Sequence, residues 1–194
     1  FAFSLLLVFT HTYLGLHVLA RGIIFIDLAL AQFAALGASI AFLLGQDVHG
    51  SGARGYAFAA AIAAALAFSM LRRVPGKTTR EAIIGIAYVV ATALSILLLS
   101  RSVQGMEALR SLFNGSILWV SWTEIVAIGA IYSALGLTHV IWRKRFFALS
   151  FGRGENVRRN FLWEFAFFAS FAAVITLAVE VAGVLLVFAF LIIP

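Results

Sequence analysis

Long apolar runs alternate along this chain with short polar gaps, and eleven of its fourteen Lys and Arg residues fall in every other gap. The runs 1–20, 23–45, 56–71, 82–100 and 117–142 are each near the ~20 residues with which a helix crosses a hydrocarbon layer about 30 Å thick. The first, third and fifth gaps hold Arg21, then Arg72, Arg73, Lys77 and Arg80, then Arg143, Lys144, Arg145, Arg153, Arg158 and Arg159. The second and fourth hold only Arg54, Arg101 and Arg110. Basic residues are retained on the cytoplasmic side of membrane spans, so the odd gaps are expected in the cytoplasm and Phe1 outside. The pattern permits one kind of fold, an all-α bundle of transmembrane helices.

Composition agrees: 63% of the residues are hydrophobic and 11% charged, outside the range of soluble domains. The stretch 161–194 carries only Glu164 and Glu180 as charges. As one helix it would be roughly 51 Å long, too much for a single span. A break near Glu180 to Gly183 is expected, giving about six spans and the start of a seventh apolar segment. No separate soluble domain is visible, so 1–194 reads as one membrane-embedded domain. The chain lacks an initiator Met and stops at Pro194 within an apolar run, so it reads as a piece of a longer protein, cut at both ends.

Several function classes drop out. With no Cys, thiolate metal sites and thiol nucleophiles are excluded. The pI near 10.5 reflects membrane-flanking loops rather than a nucleic-acid surface, so the lipid bilayer is an expected partner and nucleic acid is not. The first run lacks the basic n-region and cleavage site of a secretory signal, and His11, Thr12 and His17 interrupt it. Pro75-Gly76-Lys77-Thr78-Thr79 resembles the tail of a phosphate loop, but Leu71 stands where its first Gly belongs. No nucleophile–base pair is visible, so the chain is not expected to be an enzyme or to bind a cofactor itself.

Two spans carry informative faces. In the second, Ala29, Ala31, Ala34, Ala35, Gly37, Ala38 and Ala41 allow neighbouring backbones to come close, as in the interior of a bundle. In the fourth, Glu81, Gly85, Tyr88, Thr92 and Ser95 recur at helical steps and share one stripe. Such a stripe is either a seam between helices or a wall of an aqueous pathway.

Asp27 and Gln32 lie in the first turns of the second span. A carboxylate near hydrocarbon is a functional candidate by default, and carboxylate and amide oxygens suit divalent cations. Asp27 is also near enough to the cytoplasmic end to reach headgroup water or pair with Arg21. Being five residues apart, Asp27 and Gln32 point some 140° apart around the helix, a poor two-ligand clamp. His11 and His17, six apart, lack the four-residue spacing of a helix-borne zinc pair and are expected to be hydrogen-bonded. His49 and His139 have no partner near in sequence.

Four segments in order resemble the permease subunit of metal-ion ABC importers of the zinc, manganese and iron type. They are His17-Val18-Leu19-Ala20-Arg21-Gly22 with Phe25; Thr79-Arg80-Glu81-Ala82-Ile83-Ile84-Gly85-Ile86; Leu112-Phe113-Asn114-Gly115-Ser116-Ile117-Leu118-Trp119-Val120-Ser121; and the run 181–194, VAGVLLVFAFLIIP. The resemblance implies a multi-pass permease of the bacterial cytoplasmic membrane that pairs with a second permease copy. It also implies a cytoplasmic ATP-binding subunit that consumes the ATP, and an extracytoplasmic metal-binding protein that delivers a divalent ion as cargo. The family's ATPase-coupling loop is resembled in part by 146–160, with Ser150, Phe151, Gly152, Glu155, Arg158 and Arg159 as candidates.

The family's second span carries an Asp and a His four residues apart, and aligning Phe25, Ala29 and Leu30 with it puts Leu28 and Gln32 at those positions. Asp27 falls one residue early, some 100° around the helix. Cargo identity therefore does not transfer by resemblance alone. The substrate pathway is expected to involve Asp27, Gln32, Glu81, Tyr88, Thr92 and Ser95, with Asp27 the candidate metal ligand. Alternatives are a siderophore- or cobalamin-type permease and a non-transporting scaffold or sensor subunit of the same fold. A gradient-driven carrier would have to rely on Glu124 and Glu180.

Overall fold

A computed structural model of the chain describes residues 2–47, 50–100, 104–107, 110, 120–152 and 161–193, which include no strand. The helices are α1 (Ala2–Arg21), α2 (Ile26–Leu43), α3 (Ser51–Met70, prolonged by a tight turn over Leu71–Arg73), α4 (Lys77–Leu99), α5 (Trp122–Ile141), α6 (Arg143–Phe151), α7 (Phe161–Ala182) and α8 (Val184–Ile192). Six of them, α1 to α5 and α7, are long and apolar enough to cross a membrane. The fold is an all-α polytopic bundle, as the alternation of runs and gaps requires. Of the resembling segment 112–121, positions 112–119 lie outside the described residues.

The break expected near Glu180 falls at Gly183. Its φ of 78° and ψ of 157° belong to a region that is essentially closed to residues with a Cβ. There α7 ends and α8 begins. At nine residues, α8 is about 14 Å long, too short to span, and it packs against α1. Its backbone comes so close to Gly15 that any side chain there would collide with the Leu191 carbonyl.

The second span is the interior helix. It packs on α3, α4 and α7 and touches α8, and its alanines at 29, 31, 34, 35, 38 and 41 are all buried. Small residues matter here because helices in lipid associate through close van der Waals packing rather than a hydrophobic drive. Gly37 marks the tightest approach: a methyl added there would sit 2.8 Å from the Ala57 Cα of α3. Around this centre, Leu7, Leu14 and Val18 of α1 and Phe167, Phe171 and Ile175 of α7 complete one buried cluster. The fifth helix lies at the edge, with Trp122, Val126, Leu137 and Val140 all exposed.

The two ends of the bundle differ in charge. At one end, Arg21 meets Ser150 and Glu164, the Lys77 side chain lies against Gly22, and Glu81 accepts a hydrogen bond from the Phe25 N–H at 2.7 Å. The first, third and fifth gaps thus share a face. Toward the opposite end, Arg54 forms a forked ion pair with Glu180 at 2.6 Å. Both carboxylates that a gradient-driven carrier would need are already engaged: Glu180 in that pair, and Glu124 in the capping box that starts α5 with Ser121.

Candidate functional site

Asp27 sits in the first turn of α2 and is only 1% exposed. Neither carboxylate oxygen has a hydrogen-bond partner. The expectation that Asp27 reaches headgroup water or pairs with Arg21 is therefore corrected: Arg21 is itself buried and committed to other partners. One turn further on, Gln32 is fully buried with both amide atoms unpartnered. An isolated carboxylate in such surroundings is costly unless something compensates it.

More polar groups lie near this helix. Tyr132 of α5 donates its hydroxyl to the Val174 carbonyl at 2.8 Å. Its ring centre is 6.5 Å from that of His11. His11 is hydrogen-bonded as expected, through Nδ1 to the Leu7 carbonyl at 2.9 Å, while its Nε2 has no partner. Among the described residues, no three His, Cys, Asp or Glu side chains converge in the manner of a metal site.

The polar stripe of α4 divides. Glu81 caps the start of α2 through the Phe25 N–H. The Thr92 hydroxyl donates to the Tyr88 carbonyl at 2.8 Å and the Ser95 hydroxyl to the Ala91 carbonyl at 2.9 Å. These hydroxyls turn back on their own helix instead of gluing α4 to a neighbour. Tyr88 and Thr92 are half-buried and Ser95 is buried.

At the basic end, Ser150 of α6 is a junction. Its Oγ accepts from Arg21 Nε at 2.9 Å and lies 2.7 Å from His17 Nδ1. Arg21 Nη1 pairs with Glu164 Oε1 at 3.0 Å, and the guanidinium lies over the Phe167 ring, 3.8 Å from its centre. A second chain runs beside it. Tyr13 meets His139 Nδ1 at 3.1 Å, His139 Nε2 meets Ser170 Oγ at 2.8 Å, and that hydroxyl donates to the Phe167 carbonyl.

Sequence reasoning missed these chains, although a signal was present. Tyr13, His17 and Arg21 recur every four residues and so share one face of α1. Of the coupling-loop candidates, Phe151 stacks on Phe147 with ring centres 4.8 Å apart, and the Gly152 N–H closes α6 on the Ala148 carbonyl. Glu155, Arg158 and Arg159 lie outside the described residues.

The sequence model described as the ABC 3 transport family matches residues 1–194. Comparison with curated proteins finds no match. Among solved structures the chain is similar to PsaBC from Streptococcus pneumoniae in complex with Fab, with a TM-score of 0.68 and 21% identity. That similarity covers 98% of this chain and 68% of the other, and at this identity it concerns the fold.

Proposed function

The chain belongs to the ABC 3 transport family as a membrane permease, and on that premise we propose that it carries a divalent metal ion inward across the bacterial cytoplasmic membrane. A second permease copy completes the pathway, and an extracytoplasmic metal-binding protein delivers the ion. A separate cytoplasmic subunit binds and hydrolyses the ATP, tilting the paired permeases between outward- and inward-open states. The ATPase meets the basic end through α6 and the loop after it, where Ser150, Phe151, Gly152, Glu155, Arg158 and Arg159 belong.

The observation that carries this reading is the buried, unpartnered carboxylate of Asp27 on the central helix. A carboxyl kept without a protein cation suits a passing cation, and the Gln32 carbonyl, some 140° around the same helix, offers a hard oxygen at a separate point of the pathway. Without an imidazole at position 32, the pathway favours oxygen-loving ions such as manganese over zinc. Tyr88, Thr92 and Ser95 line the pathway on α4, and Glu81 closes it at the basic end. The test is ATP-driven uptake of manganese, zinc and ferrous iron by the reconstituted complex. Transport of none of the three would remove the metal reading.

Leu28 motivates a second reading. It packs against the apolar core at the position where the resembled family carries its Asp, as a scaffold or sensor subunit without a working site would. Under that reading, introducing Leu28→Asp and Gln32→His leaves metal binding and ATPase stimulation unchanged.

A further inference from the structure

A small cavity opens at the basic end among α1, the α3–α4 turn, α4, α6 and α7, with a volume of about 90 Å³. Arg21, Arg72, Lys77 and Arg80 line it, together with Ser150 and Glu164. Among the described residues, four cations therefore face one carboxylate, and that carboxylate is already paired with Arg21 Nη1. Glu81, on the first turns of α4, is turned to the Phe25 N–H instead.

Two donors are left over. Arg21 is 7% exposed, and its Nη2 has no hydrogen-bond partner; the buried Nη1 of Arg72 has none either. A buried guanidinium N–H without an acceptor is costly, and both arginines border the same cavity. The α4 helix also begins at this rim on Gly76, with no side-chain cap and no acidic residue in its first turn. Its positive end is thus uncompensated as well.

From this geometry we propose that the cavity binds a phosphate group, belonging either to an anionic lipid headgroup or to free inorganic phosphate. The volume is well above the roughly 10–15 Å³ that a single water needs and suits one small tetrahedral anion rather than an extended ligand. A phosphate presents acceptors in several directions, and arginine forks pair with it bidentately. A carboxylate would satisfy one fork and leave the other cations unmatched. Basic pockets between membrane helices at the positively charged face are suited to lipid headgroups. The bound group would tie α1, α4 and α6 together where each leaves the membrane.

The test uses the full-length protein in detergent with its co-purifying subunits. Retention of dioleoylphosphatidylglycerol, against dioleoylphosphatidylcholine, is read by native mass spectrometry, and inorganic phosphate binding by calorimetry. We expect one phosphatidylglycerol per chain, held in preference to phosphatidylcholine. Arg72→Gln and Lys77→Gln should each weaken it about fivefold. Arg73→Gln should leave it unchanged, since Arg73 is exposed and does not border the cavity. Calorimetric binding of phosphate without lipid retention, with the same pattern across variants, would identify the free ion as the source and uphold the site. Binding of neither probe, or an equal loss in Arg73→Gln, would overturn the proposal.

Discussion

Arg21 and Glu164 stand 143 positions apart in the chain and 3.0 Å apart in the fold, a buried ion pair between the last residue of α1 and the first turn of α7. With Ser150 on the guanidinium's Nε, the pair joins three helices that sequence order keeps far apart.

Breaking a buried pair from one side leaves an uncompensated charge, at a cost of about 3–5 kcal/mol. Glu164→Gln should therefore lower the thermal unfolding midpoint of the purified protein markedly. Arg21→Met combined with Glu164→Leu should recover most of that loss, because no lone charge is left behind. A double variant as unstable as the single one would show that Arg21 acts through Ser150 and Phe167 instead.

The absence of Cys makes the topology directly testable. Single cysteines at the exposed positions Arg73 and Lys144 should react with an impermeant thiol reagent only in inside-out vesicles. Cysteines at Gln46 and Thr123, also exposed, should react only from the other side. Labelling of Arg73→Cys and Lys144→Cys from opposite faces would contradict the arrangement of the gaps.

Asp27→Asn should separate stability from transport. Replacing an ionisable group that is buried without a partner by a neutral amide is expected to stabilise the fold, seen as a higher unfolding midpoint. Uptake by the reconstituted complex should fall at least tenfold. Retained uptake would show that the ion does not pass Asp27.

At Gly183, Gly183→Ala places a Cβ on a backbone with φ 78° and ψ 157°, costing about 1–3 kcal/mol. A lower unfolding midpoint is the expected readout. A comparable loss at Gly55→Ala would be surprising, since a side chain there meets open space.

The span count, the small-residue interior helix and the break before Gly183 were legible in the sequence, because each follows from local periodicity and composition. Side-chain partners were less so. Arg21 reads as a loop cation because it flanks an apolar run, yet its Nε and Nη1 meet Ser150 and Glu164, which only the packing of α1 against α6 and α7 brings near. Asp27 could be placed by its distance from the helix end, but its depth depends on α3, α4 and α7 closing around α2. The α4 stripe was visible by spacing, whereas the choice of its hydroxyls to bond their own carbonyls is a rotamer decision that spacing does not encode. The face shared by Tyr13, His17 and Arg21 is readable from their four-residue spacing, whereas their partners on α5, α6 and α7 are not.

The crowding around α2 has a consequence for how such a transporter could change its preferences over evolutionary time. With Gly37 pressed on Ala57 and alanines on most sides, any bulkier residue there would prise several helices apart at once. New selectivity on this helix must then come from exchanging one side chain for another of similar volume, as an imidazole and a carboxamide are. At Gln32, buried with both amide atoms unpartnered, such an exchange breaks no hydrogen bond within the bundle.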